Sequence, residues 1–436
     1  MSTHETNQSV AQNDLDYVFH SWSVQSQLKP AAFKTGHGCY LEDFEGKQYL
    51  DFSSQLVNTN IGHQHPKVVE AIKKQAELLT TIAPAHANAT RGLAAKKILE
   101  IAPKGFKKVF FTNAGADAVE NAIRMARLYT GRRKVLSRYR SYHGNTGAAI
   151  NATGDARRFN NEFATDHVHF FGPYLYRSEF WATNEAEECE RALHHLRRIV
   201  ECENPANVAC ILLESVPGTA GIFVPPAGYV QGVRKLCDEY GIVLILDEVM
   251  AGFGRTGKWL AQEHYEGVVP DLITFAKGVN SGYVPAGGVM ISEKINDFFN
   301  DKMFPGGLTY SGHPLAMAAI VATIDAMREE GMVENAAKMG SEVLGPGLKA
   351  LAEKHKTIGE VRGLGLFWAI ELVSDPAKKT KFTPAQMNQI KALCMEKGLL
   401  PFIAENRIHV APPLIITAEE LQKGLSILDE VLTAVA

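Results

Sequence analysis

The sequence predicts an α/β protein: a mainly parallel sheet covered by helices, followed by a smaller α+β part. Three observations carry this. Near-continuous apolar runs such as VACILLESV (208–216) and IVLILDEV (242–249) suit strands covered on both faces. Helical segments lie between most of these runs, for example YVQGVRKLCDEYG (229–241). The texture changes past Pro314, where helix-rich sequence takes over. A chain of 436 residues is also too long for one compact core, so two units are expected.

Taken in order, residues 1–14 are polar and aromatic-free and are expected to be disordered. From Tyr17 to Leu28, Phe19 and Trp22 recur at helical spacing; Trp22 is either a packing residue or part of a pocket wall. Residues 40–52 read as a hairpin turning at Glu45-Gly46. Residues 68–79 alternate with a period near 3.6, and 93–103 form another helix closed by Pro103. KVFFT (108–112) is a strand, 118–131 a helix ending at Gly131, and 134–139 the next strand. DLITFAKG (271–278) and GGVMIS (287–292) complete the predicted sheet. Beyond it come a long helix (314–331), a strand in EVRGLGLFWAIELV (360–373) and another in RIHVAPP (407–413). The domain reading is an N-terminal segment (1–60) contributing to the small domain and pocket, a large domain (61–313) and a small C-terminal domain (314–436).

Bulk properties narrow the function. The net charge of -3, without a basic stripe, speaks against nucleic-acid binding and for small-molecule partners. The six cysteines are scattered with no C-x-x-C pair, which argues against a zinc site or a disulfide framework. His63-Gln64-His65 lacks a plausible third ligand nearby, so no metal site is expected. The N-terminus has no apolar stretch of a secretory signal, and no run approaches the ~20 apolar residues of a membrane span. A cytoplasmic protein is expected.

Chemistry concentrates at the ends of predicted strands, where open α/β sheets bind ligands. One strand ends in Asp247 and Glu248. A carboxylate there is functional or caps the following turn. Thirty positions on, ITFAKG ends in Lys277. Buried, this lysine would become nucleophilic; alternatively its head reaches solvent. Together the two residues suit pyridoxal 5'-phosphate (PLP). That cofactor needs an amine to hold its aldehyde as an imine and an anion to keep its pyridine nitrogen protonated. FFTNAGADAVENAIR (110–124) supplies a turn at Gly115 and a helix N-terminus suited to a phosphate. The G-x-G-x-x-G and G-x-x-x-x-G-K-[ST] patterns are absent at this turn, against dinucleotide or NTP binding. Tyr142, after KVLSRY, could cover the pyridine ring, and His143 beside it reads as structural.

DEVMAGFGRTGKW (247–259), PDLITFAKGVNSGYVPAGGV (270–289) and GLTYSGHPLAMAA (307–319) resemble the class III aminotransferases, PLP enzymes of fold type I. The likeness runs from about Tyr40 to the C-terminus. It implies Lys277 as the cofactor lysine and proton carrier, and Asp247 as partner of the ring nitrogen. It further implies Val249 under the ring, Tyr142 stacked on it, Gly115 and Ala116 at the phosphate, and Glu214 nearby. Thr309 matches a threonine that reaches the phosphate of the neighbouring subunit's cofactor, which implies a homodimer with shared sites and does not separate dimer from tetramer.

Two departures stand out. The phosphate turn, usually S-G-S/T-E-A, here reads Ala114-Gly115-Ala116-Asp117-Ala118, without a hydroxyl at Ala116. The arginine that many relatives carry after G-L-L is replaced by Phe402, leaving Arg407 as the candidate for an acidic substrate. GLLPF, NRIHV and YVFHSW together are similar to the taurine–pyruvate branch. The implied reaction is ping-pong transamination from an ω-amino acid or amine (taurine, β-alanine, 4-aminobutyrate or a simple amine) to a 2-oxo acid, with pyruvate expected. Decarboxylation, racemisation and amino-group migration on the same scaffold are the rival PLP reactions, and a non-catalytic binding protein is the rival from another class.

Overall fold

A computed structural model of the chain describes residues 5–161 and 164–435. The expected disorder of residues 1–14 is corrected in part: Asn7–Tyr17 is a helix, and residues 1–4 lie outside the described residues. This helix buries no side chain. It is held by its ends: Thr6 and Ser9 exchange capping bonds, and Asn7 bonds to the Phe44–Glu45 turn. Tyr17 ends it, and the aromatics beyond do not continue it. Tyr17, Phe19 and Trp22 are exposed, Trp22 sits at φ 55°, and only a short turn at Gln25–Gln27 is helical. With neither a buried face nor a capping box like that at Thr6 and Ser9, the aromatic spacing does not extend the helix.

The predicted hairpin is present. After β1 (Thr35–His37), strands β2 (Tyr40–Glu42) and β3 (Gln48–Asp51) pair antiparallel. Gly46 turns between them at φ 81°.

The main sheet contains β4 (Phe106–Thr112), β5 (Lys134–Arg138), β6 (His167–Phe170), β7 (Val208–Glu214), β8 (Val243–Asp247), β9 (Leu272–Phe275) and β10 (Gly287–Ser292), in the spatial order β4-β10-β9-β8-β7-β5-β6. Five neighbouring strands, β9-β8-β7-β5-β6, are parallel. β10 runs against both β9 and β4, so β4 points the same way as the parallel set. β7, β8 and β9 are buried along their whole lengths, as continuous apolar runs require. Amphipathic helices Gly115–Thr130, Glu185–Cys202 and Tyr229–Tyr240 cover the sheet.

Toward the C-terminus, residues 360–373 form two strands rather than one. β11 (Ile358–Leu364) and β12 (Phe367–Asp375) pair antiparallel around Gly365, which sits at φ 55°. A Cβ at Gly365 would lie 2.4 Å from the Thr256 carbonyl carbon, so this position needs glycine on two grounds. β12 also pairs the short β13 (Thr380–Lys381). After β14 (Leu399–Leu400) come β15 (Phe402–Ala404) and β16 (Arg407–Val410), completing the order β11-β12-β16-β15. β14 pairs parallel to β3, which ties the N-terminal hairpin to the C-terminal part.

One apolar cluster links the regions, with Phe275 of the main sheet, Ile320 and Ile324 of the Pro314–Glu329 helix, and Trp368 of the second sheet. Arg255, from the FGRTG segment, is fully buried within this junction. It donates to Leu366 O (3.1 Å), Pro412 O (2.5 Å), Ser54 Oγ (3.2 Å) and Asn60 Oδ1 (2.8 Å). Four acceptors from three chain regions converge on one guanidinium, which fixes how those regions meet. Its burial lowers its pKa to about 9.

Candidate active site

The carboxyl ends of β4, β5, β7, β8 and β9 lie along one edge of the sheet, and a cavity of about 480 Å³ opens there. Each strand ends with a residue that faces it: Gly115 and Ala116 after β4, Tyr142 and His143 after β5, then Glu214, Asp247 and Lys277. Glu214 and Asp247 are register partners on adjacent strands, so their carboxylates lie side by side.

Asp247 is oriented from two sides. His143 Nδ1 lies 2.7 Å from Oδ2, and the Val249 N–H donates to Oδ1 at 3.0 Å. Both side chains of the His143–Asp247 pair are buried. Glu214 accepts the Tyr142 N–H (3.0 Å) and the Gly218 N–H (2.7 Å). Burial raises its pKa, with Asp247 adding to the rise and His143 and the two N–H groups opposing it. Glu248, the other acid of the strand end, turns into the core. It accepts from Ser215 Oγ (2.5 Å) and the Ala261 (2.9 Å) and Gln262 (2.8 Å) N–H groups, and burial pushes it up to about 7.

Lys277 is a non-glycine residue at φ 48°, a left-handed conformation that directs the chain sharply away from the β9 tip. Its surroundings lower the amine to about 8. Desolvation is the largest cause, and Arg157 acts in the same direction, while Glu214 and Asp247 pull upward. About 9% of the amine is therefore neutral and nucleophilic at pH 7, far more than for an ordinary lysine.

The helix Gly115–Thr130 starts at the cavity wall without a side-chain cap. A Cβ on Gly115 would stand 2.9 Å from Val249 Cγ1, and one on Gly144 2.6 Å from Ala116 Cβ. The two glycines let the helix start, Val249 and the 141–144 turn close together, leaving backbone N–H groups for an anion. A buried amine with a lowered pKa, a buried oriented carboxylate, an apolar floor at Val249 and an anion cradle fit a flat phosphorylated aldehyde such as PLP.

The remaining expected residues are distributed as follows. Trp22 lines the cavity and meets Tyr142 edge-on at 6.4 Å between ring centroids. Thr309 is exposed and does not line its own chain's cavity. Phe402 packs edge-on against His409 at 4.9 Å and lines no part of the cavity. Arg407, expected at the substrate, is instead buried in a neighbouring cavity of about 560 Å³, bonded to Glu405 at 3.2 Å. The reason is register: Arg407 pairs with Glu371 of β12, on whose side this second cavity lies. His63 and His65 pair separately with Asp51 (3.0 Å) and Glu330 (3.2 Å).

Two residues escaped sequence reasoning. His143 was visible but only as a structural histidine; its partner lies 104 positions away. Arg157 places its guanidinium carbon 3.6 Å from the Tyr142 ring centroid, and nothing in its local sequence announced that.

The Aminotransferase class-III family profile matches residues 22–432. The chain is 33% identical over 444 residues to the taurine–pyruvate aminotransferase of Bilophila wadsworthia, covering 97% of this chain and 96% of that one. It is 36% identical over 413 residues to the acetylornithine aminotransferase of Caldanaerobacter subterraneus, covering 93% and 95%. Among solved structures, the taurine:2-oxoglutarate aminotransferase of Bifidobacterium kashiwanohense, in complex with PLP and glutamate, superposes with a TM-score of 0.96 at 44% identity, over 100% of this chain and 99% of that one.

Proposed function

The chain belongs to the class III aminotransferases, and on that premise we propose that it moves an amino group from a small acid-bearing ω-amine of the taurine kind to a 2-oxo acid. It is a PLP-dependent aminotransferase acting on ω-amino acids or amines. The observation that carries the residue assignment is the shared cavity of Lys277, Asp247 and the uncapped helix start at Gly115. The donor class is supported by the taurine aminotransferases among its relatives.

PLP supplies an aldehyde that takes up the amine and a ring that accepts electrons. The chain supplies the rest. Lys277 Nζ would hold the aldehyde and, when free of it, would take the proton from the amine-bearing carbon of the donor. Asp247, held by His143 and the Val249 N–H, would present its charge to the ring nitrogen. Gly115 and Ala116 would offer N–H groups to the phosphate, and Val249, Tyr142 and Trp22 would enclose the ring. Glu214 ties the Tyr142 turn to the strand edge.

We assign Thr309 to the partner subunit's site, in a homodimer with shared active sites, and place the enzyme in the cytoplasm. The division into residues 1–60, 61–313 and 314–436 remains our domain reading. The test is a product assay with taurine, with and without a 2-oxo acid. Alanine formed from pyruvate, or glutamate from 2-oxoglutarate, together with loss of the donor amine, supports transamination. Turnover that proceeds equally without any 2-oxo acid would assign decarboxylation or isomerisation instead.

A further inference from the structure

Trp22 stands at the mouth of the cofactor cavity with little packing to hold it there. Its side chain is 63% exposed, and the ring it meets is that of Tyr142, edge-on. Its backbone sits at φ 55°, a region that an L-residue enters only when its surroundings enforce it. Val18, Phe19 and Val24 on either side are exposed as well, so apolar burial does not fix this stretch. The position of the indole is therefore set by the hydrogen bonds of the loop that carries it.

Those bonds converge on one side chain. Gln25 Oε1 accepts the His20 N–H at 3.0 Å, while Gln25 Nε2 donates to His20 O at 2.8 Å and to Ser23 O at 3.1 Å. The carboxamide thus pairs with both backbone groups of His20, as a neighbouring strand would, and closes residues 20–25 into a loop that contains Trp22. Gln25 is itself anchored, because it opens the short helical turn Gln25–Gln27, in which the Gln27 N–H donates to Val24 O at 3.0 Å. The other end of the loop is tied down by His20, whose Nε2 lies 2.6 Å from Asp14 Oδ2 on the N-terminal helix. Ser23 Oγ donates within the loop, to Ser21 O at 3.1 Å. Ser21 and Trp22 line the cavity, and Gln25 does not.

We propose that Gln25 is the positioning residue of the Trp22 wall, and that this wall limits donors to slender amines. The cavity of about 480 Å³ has to hold the cofactor and the donor together, and the indole edge narrows it beside Tyr142. A straight-chain amine passes, whereas a donor with a ring next to its amine-bearing carbon meets the indole. This deepens the transamination reading by naming the shape of its donor, and rests on it.

The test compares Gln25→Ala, Gln25→Glu, Trp22→Ala and the Gln25→Ala Trp22→Ala double variant with wild-type holoenzyme. Propylamine and benzylamine are the slender and bulky probes, and loss of the cofactor absorbance band on mixing gives a rate constant for each. Freeing the indole should raise the benzylamine-to-propylamine ratio about tenfold in Gln25→Ala, the scale of discrimination by pocket size. Propylamine itself should stay within about threefold of wild type. Gln25→Glu, which keeps the acceptor for the His20 N–H and loses both donors, should fall between. Trp22→Ala should raise the ratio at least as far, and adding Gln25→Ala to it should change nothing more, because the two act through one group. An unchanged or lowered ratio in Gln25→Ala, or two effects that multiply in the double variant, overturns the proposal. Amide hydrogen exchange over residues 18–28 reads the loop without turnover: Gln25→Ala should speed it about tenfold or more, and unchanged exchange removes Gln25 from its role. A wild type in which neither amine bleaches the band, while exchange responds as expected, would defeat the transamination reading and with it the donor limit, and would uphold the hold of Gln25 on Trp22.

Discussion

The lowered pKa of Lys277 has a kinetic consequence in the cofactor-free protein. Attachment of PLP requires the neutral amine. With a pKa of about 8, about half the lysine is neutral at pH 8, about 9% at pH 7 and about 1% at pH 6. An ordinary lysine at 10.5 would be about 0.03% neutral at pH 7, so burial gives a roughly 300-fold advantage there. The assay is stopped-flow absorbance of PLP uptake by the apoprotein from pH 6 to pH 10. Dividing by the rate with Nα-acetyl-lysine under the same conditions cancels the titrations of PLP itself. That ratio should be largest at low pH and shrink once the pH exceeds about 8, because the protein amine is then saturated while the free amine still gains. A ratio constant across the range would mean an unshifted lysine and would refute the argument. The stability sign follows the same shift. Below about pH 8 the folded apoprotein carries an unfavourable buried charge, so its stability should rise as pH climbs from about 8 toward 10.5.

Other outcomes follow from the geometry. Asp247→Asn should keep the fold but lower kcat by about 10²–10³, by analogy with the loss of a preorganised electrostatic partner; a variant within threefold of wild type would remove Asp247 from its role. His143→Ala should lower kcat less than Asp247→Asn does and shift its pH profile, while an unchanged profile would leave His143 purely structural. Ala116→Ser should tighten PLP binding by restoring a hydroxyl at the phosphate turn, and an unchanged dissociation constant would show that backbone N–H groups suffice. Burial alone would raise the Glu371 carboxyl, but the Tyr174 hydroxyl and the Arg362 and Arg177 guanidiniums outweigh it and hold it at about 2. At neutral pH, Glu371→Gln should cost up to about 3 kcal/mol by urea unfolding. The gap to wild type should close as pH falls from about 4.5 toward 2, and equal midpoints at pH 7 would refute it.

The legible parts of the sequence were those where a local pattern and a physical requirement coincide. β7, β8 and β9 announced themselves because strands covered on both faces must be apolar throughout. Lys277 and Asp247 stood out because ionisable residues at such strand tips need a reason. The 360–373 segment misled because its apolar character continues through the turn, and only Gly365, with backbone packed against it, marks the break. The Asn7–Tyr17 helix was illegible because its stability lies in end-capping rather than in an apolar face. Arg407 looked right by sequence proximity to the usual arginine, but the β12–β16 register sends it to the second cavity. Arg157 became visible only through its contact with Tyr142. Contacts between distant segments are set by tertiary packing, which local periodicity does not encode.

Everything proposed for the site requires that the nitrogen of Lys277 carry the cofactor. Borohydride reduction of the PLP-loaded protein, followed by peptide mapping by mass spectrometry, tests it most directly. A single phosphopyridoxyl group is expected on the peptide containing Lys277, absent after Lys277→Ala. The group found on another lysine, or persisting in that variant, would contradict it.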